Sequence, residues 1–491
     1  MVGNSCNIGC RFAAQIVIAR CLGLDDFGRV AYMIWLIEIT SILMDAGLKI
    51  SLTRFIAELN SQGLHEQAAA LARRLYYRYV ILAVLGTLIT THLFLKSSVS
   101  AGFEHTLPFL MLLFLSRSLA AMFTAYLRGE QRFQLLAWVN IFSSICMIAA
   151  LGAGAYFFGV VGVLCGYAAG PTIPAILLTV FVLRGHRDSV VLERELNSRL
   201  WRFALNSWFI ALLGAFVWSR TEIFFVERYW NLAEVAMFAV SVTLSGLASM
   251  GPLMLTGAFL PHFTELANGK SRAAVMTSYA TCTRLLAFLL FPVSFGGAAV
   301  IPVLLPMLYG SDFARAVPTA IVLLLTASFT FAGVGNSLLY ALERPGYKVF
   351  DGCLGAILLI LGLLLIVPMW GAFGAACCRA TVQLLLIILN LCYLRLWIGC
   401  PVPVWALLRT LLAALSCGLF ASIVLLIWPV PLALGIAIPV GTAAYLGACR
   451  RLHILEAQDV MHIDAFLAYM RVPFRPLVCQ VLSPRKPKIS L

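Results

Sequence analysis

Fourteen apolar runs, each of the length that crosses a bilayer, leave this chain few ways to fold. They lie near residues 3–23, 30–48, 77–95, 107–127, 135–157, 160–183, 204–225, 235–259, 284–307, 317–341, 353–369, 373–394, 407–427 and 432–448. About 20 predominantly apolar residues are needed to span the hydrocarbon core as a helix. Backbone groups at that depth have no water to bond, so each segment must satisfy its own, which selects helices. Only 11% of residues are charged and 62% are hydrophobic, where soluble domains carry about a quarter charged. A large soluble helical enzyme is excluded. The expectation is an all-α membrane protein of about 14 transmembrane helices.

Charge then sets orientation. Of 35 basic residues, 26 fall in or at the edges of loops after even-numbered runs or in the tail, 5 in or at the edges of loops after odd-numbered runs, and 4 well within runs. Lys and Arg accumulate in cytoplasmic loops, so both termini are expected in the cytoplasm. The net charge of +14 thereby reads as topology, and nucleic acid is not an expected partner. Arg11 sits near the middle of the first run, which argues against a cleaved signal peptide. Residues 454–470 could lie as an amphipathic helix on the membrane surface. The preferred reading is an ordinary cytoplasmic basic tail.

The stretch from Arg11 to Leu59 recurs about 208 residues later. Ile18-Ala19-Arg20 and Leu24 to Gly28 align with Val226-Glu227-Arg228 and Leu232 to Ala236. Ile56 to Leu59 meets Phe263 to Leu266 one residue out of register, and Phe158 to Gly162 resembles Trp370 to Gly374. The chain is thus expected to hold an N-terminal six-helix lobe (1–203), a C-terminal six-helix lobe (204–400), helices 13 and 14 (401–449) and a tail (450–491).

Ionisable groups inside spans are costly and are functional candidates by default. The cations are Arg11, Arg117, Arg220 and Arg379, and the anions Glu38, Asp45 and Glu222. Seven residues apart, Glu38 and Asp45 share a helical face. One reading is a polar cavity in which the arginines hold an anionic substrate and Glu38 or Glu222 couples transport to cation movement. The other is interhelical ion pairing, for example Arg11 with Glu38. The planar guanidinium suits phosphate, and the cavity is preferred for Arg11, Arg117 and Arg220. A local salt bridge with Lys49 or Arg54 is preferred for Asp45, and Arg379 is a secondary candidate. The 14 cysteines form no C-x-x-C pair and lie mostly in apolar runs, so no metal site is expected. No G-x-x-x-x-G-K-[ST] loop is present, no nucleophile–base set stands in a loop, and neither enzymatic activity nor a cofactor is expected.

Three motif groups complete the reading. They are Ala19-Arg20-Cys21-Leu22-Gly23-Leu24-Asp25-Asp26-Phe27-Gly28 with Asp45-Ala46-Gly47-Leu48, Arg54-Phe55-Ile56-Ala57-Glu58, and Tyr309 to Phe313 with Asn336 to Arg344. On these the chain resembles the polysaccharide-transporter branch of the multidrug/oligosaccharidyl-lipid/polysaccharide exporter superfamily, the Wzx-type flippases. The resemblance implies two facing six-helix bundles plus two helices. It also implies alternating access that moves an undecaprenyl-pyrophosphate-linked oligosaccharide across the bacterial inner membrane, for lipopolysaccharide or exopolysaccharide assembly. A cationic lumen would follow, fitting Arg11, Arg117 and Arg220, with Arg20 and Arg54 in family-like motifs. Membrane lipids, a polysaccharide polymerase and export proteins would be partners. The rivals are a lipid II flippase, a drug/cation antiporter and, from another class, a polysaccharide polymerase.

Overall fold

The computed structural model describes residues 2–184, 194–218, 220–256, 259–268, 272–342, 345–428 and 430–454. The amphipathic tail segment expected from 454 to 470 lies outside the described residues apart from Ile454. In chain order the helices are α1 (Val2–Met44), α2 (Leu48–Ser61), α3 (His65–Lys96), α4 (Leu107–Gly129), α5 (Phe133–Arg184), α6 (Arg194–Trp218), α7 (Glu222–Tyr229) and α8 (Leu232–Thr256). They continue with α9 (Phe259–Asn268), α10 (Arg272–Tyr309), α11 (Val317–Ala327), α12 (Gly333–Ala341), α13 (Pro345–Tyr393), α14 (Val404–Ile427) and α15 (Leu434–Arg451). Among the described residues there is no strand.

The fourteen expected spans map onto these helices. Among the described residues, ten helical stretches are long and apolar enough to cross a membrane. Three of them, in α1, α5 and α13, are each two spans joined at a glycine with positive φ: Gly23, Gly159 and Gly371. The remaining expected run, 204–225, begins on α6, which is not among those ten stretches. Successive turns of α3 present Tyr77, Ile81, Val84, Leu85 and Leu88 outward. Such a stripe is ordinary where the surrounding medium is lipid.

The repeat survives at the level of backbone angles. Gly159 has φ 56°, ψ −133° and Gly371 has φ 55°, ψ −136°, a region that side-chain-bearing residues avoid. The two glycines therefore fold equivalent helix pairs in the two copies. The copies also place a short helix, α2 or α9, after their second span.

By packing, the chain forms two compact units, residues 1–236 and 237–491. In the first, α4 runs along α5, with α1 against α5 and α2 across α3 and α4. Its core at one end joins Leu52, Phe55, Ile56 and Leu59 of α2 to Leu75 and Tyr79 of α3, Phe123 and Leu127 of α4, and Leu200 of α6. α6 and α7, which begin the second copy in sequence, belong to this unit. In the second unit α10 packs against α11, α14 and α15, while α11 lies on α13 and α9 on α12.

Candidate functional site

The site is built on α2. Its apolar positions Leu48, Leu52, Phe55, Ile56 and Leu59 recur every three or four residues and are buried, which pins one face to the core. The motif Arg54-Phe55-x-x-Glu58 straddles the edge of that face. Phe55 is buried, Glu58 half-buried and Arg54 exposed.

Gly47 brings α6 to this edge. It precedes α2 with φ +71°, and a Cβ there would lie 2.0 Å from the Ala204 carbonyl oxygen. Only glycine permits both the turn and the approach. Close by, the indole N–H of Trp208 donates to the Ile42 carbonyl at 3.1 Å. A separate close approach joins α1 to the start of α8, since a Cβ on Gly28 would meet the Leu232 carbonyl oxygen at 1.9 Å.

The result is an open cleft of about 230 Å³ lined by Arg54, Phe55, Arg199, Arg202, Phe203 and Asn206. Phe55 and Phe203 meet edge to face at 6.1 Å and form its apolar part. The Arg54 guanidinium lies 4.3 Å from the Phe203 ring centre and 5.6 Å from that of Phe55, and Arg199 lies 5.7 Å from Phe55. Stacking of this kind is worth about 0.5–1 kcal/mol at an exposed site, and it leaves the guanidinium edges available as donors. Among the described residues, three arginines and no acid line the cleft. Pockets for drug-sized ligands run to about 300–1,000 Å³, and this open cleft is smaller than that range.

The other candidates are dispersed. Glu38 accepts from Arg117 at 3.1 Å, pairing α1 with α4. The side chain of Arg11, the alternative partner for Glu38, lies outside the described residues. Asp45 is buried in the turn after α1 and pairs with Lys49 at 3.5 Å. Arg220 is half-buried between α6 and α7, with φ +60°, unusual for a residue with a side chain. Glu222 is fully buried in the first turn of α7, where a carboxylate complements the helix N-terminus. Arg20 is exposed on α1, and Arg379 is half-buried in α13 of the second unit.

Arg199, Arg202 and Glu58 were not singled out by sequence reasoning. Arg199 and Arg202 read as topology residues in a cytoplasmic loop, and Glu58 only as part of a motif. The usable signal was the motif itself, whose Arg54, Phe55 and Glu58 all lie at or beside the cleft.

A family described as polysaccharide biosynthesis protein matches residues 17–318. The chain belongs to that family. No curated protein matches the chain. Among solved structures it is similar to a lipid II flippase, MurJ, in an inward closed conformation. The TM-score is 0.74 and the identity 12%, over 92% of this chain and 98% of that one. It is also similar to an inward-facing multidrug resistance MATE transporter of the MOP superfamily, with TM-score 0.63 and 15% identity over 79% and 94%. A third is a MOP superfamily transporter from Pyrococcus furiosus, at TM-score 0.55 and 15% identity over 81% and 94%. At such identities the likeness is one of fold. The family member is an all-α multi-pass membrane protein with the architecture of these transporters.

Proposed function

We propose that the protein is a flippase for an undecaprenyl-pyrophosphate-linked oligosaccharide, working by alternating access in the bacterial inner membrane during surface polysaccharide or exopolysaccharide assembly. The observation that carries this reading is the cleft of Arg54, Arg199 and Arg202 on a family member with a transporter fold. Guanidinium groups bind phosphate oxygens through paired, charge-assisted hydrogen bonds. A small cleft rich in arginine suits the pyrophosphate that joins lipid to glycan. The basic bias of its loops supports a cytoplasmic position for the cleft, where such a substrate would be loaded. Both termini would share that side.

Deeper in the membrane, Arg11, Arg117 and Arg220 would carry the anion along the lumen. Arg117 is engaged by Glu38. Protonation of Glu38 would release Arg117 to the substrate, which gives Glu38 a coupling role; Glu222, buried in the membrane, is the second coupling candidate. A lipid II flippase is the second reading, favoured by the similarity in fold to MurJ over 92% of the chain.

The test is deletion of the gene followed by mass analysis of polyprenyl-linked glycans. The expected result is a complete repeat unit accumulating on the cytoplasmic leaflet, with loss of surface polysaccharide. Accumulation of lipid II would favour the second reading, and normal glycans with new drug sensitivity would favour an antiporter. Arg220→Ala should abolish glycan export without loss of membrane insertion.

A further inference from the structure

Arg54 and Arg202 meet no carboxylate of the described residues, but Arg199 does. Its Nη2 lies 2.8 Å from Oε1 of Glu58, across the edge of the cleft from α6 to α2. The Arg199 side chain is 52% exposed and that of Glu58 27%. We propose that Glu58 is a built-in stand-in for the substrate phosphate, which holds Arg199 until an incoming pyrophosphate displaces it. This proposal rests on the reading of the cleft as a pyrophosphate site.

Three features support exchange over a fixed structural pair. First, a solvent-exposed ion pair contributes about 0–1 kcal/mol, so the bond is easily given up. Second, Glu58 offers one carboxylate to one arginine. A pyrophosphate brings several oxygens and more charge, and could bridge Arg199 to Arg54 and Arg202. Third, α6 is held elsewhere, at the start of α2 by the Gly47 backbone contact and to the end of α1 by the Trp208 hydrogen bond to Ile42. Release of Glu58 therefore need not separate the helices. The aromatic rings hold Arg54 in place throughout, so the cleft keeps part of its geometry when the pair exchanges.

The motif gives this arrangement a local origin. Arg54 and Glu58 stand four positions apart, about one helical turn, so one short helix supplies both a phosphate-binding cation and the anion that screens the neighbouring one. Empty, the cleft carries less unbalanced charge; occupied, it exchanges an internal anion for an external one.

The experiment measures binding of inorganic pyrophosphate to the full-length protein in detergent, by calorimetry, for wild type, Glu58→Gln, Arg54→Ala, Arg199→Ala and the Glu58→Gln/Arg199→Ala double variant. Removing a competitor worth up to about 1 kcal/mol should tighten binding about fivefold in Glu58→Gln. That gain should vanish in the Arg199→Ala background, because Glu58 acts through Arg199. Unchanged affinity in Glu58→Gln, alongside weaker binding in Arg54→Ala, would overturn the stand-in and leave the pyrophosphate site standing. A gain that persists without Arg199 would also overturn it, showing general charge relief. Absence of pyrophosphate binding in every variant would overturn the site itself and the stand-in with it. Unchanged thermal unfolding of Glu58→Gln, an isosteric change, would show that the fold is intact.

Discussion

Replacing Gly47 by alanine should separate α2 from α6, and Gly63 supplies the control that isolates the cause. Both glycines have left-handed backbones, with φ +71° and +76°. A Cβ on Gly63 meets nothing within 4 Å, whereas one on Gly47 falls 2.0 Å from the Ala204 carbonyl oxygen. Gly63→Ala should therefore cost only the left-handed backbone penalty, about 1–2 kcal/mol. Gly47→Ala adds a backbone collision that is relieved only if α6 withdraws by about 1 Å or more, and overpacking of this kind typically costs a further 1–3 kcal/mol. Unfolding by SDS in detergent micelles, followed by tryptophan fluorescence, measures both. Trp208, on α6 and bonded to Ile42 at the end of α1, should shift its emission in native Gly47→Ala but not in native Gly63→Ala. Equal destabilisation of the two variants, with no native shift, would refute the close approach.

Breaking the Glu38–Arg117 pair should cost about 1–3 kcal/mol, well below a fully buried pair because both side chains are partly solvated; a double-mutant cycle of Glu38→Gln and Arg117→Ala by the same SDS unfolding checks it. Tyr445→Phe removes a 2.7 Å hydrogen bond from α15 to the Phe288 carbonyl on α10. It should lower stability by about 1 kcal/mol, measured by thermal unfolding.

What could be read from the chain was whatever recurs locally. The spans follow from runs of apolar residues, and the repeat from motifs at a steady offset. Even the fold-back at Gly159 and Gly371 was marked by the matched Phe158 to Gly162 and Trp370 to Gly374. The cleft was hidden for the opposite reason. Arg54 and Arg199 are 145 positions apart, and their meeting depends on the backbone approach of Gly47 to Ala204, which has no periodic signature. Glu38 posed a similar problem, because its described partner, Arg117, lies on a helix three further along the chain. A carboxylate in a span announces that it needs company but not whose.

The two halves also age differently under bending. α10 carries Pro292, Pro302 and Pro306, while its counterpart α3 has none. Each proline removes a rung of the helical ladder and invites a kink. α14 lies over the first of these joints: Cys417 reaches the Pro292 carbonyl, and Gly418 comes close to that of Phe295. α15 adds the Tyr445 bond to Phe288 just ahead of it. The two helices beyond the duplication thus act as a splint. A chain cut before Val404 would keep both copies of the repeat yet leave one of them hinged where the other is stiff.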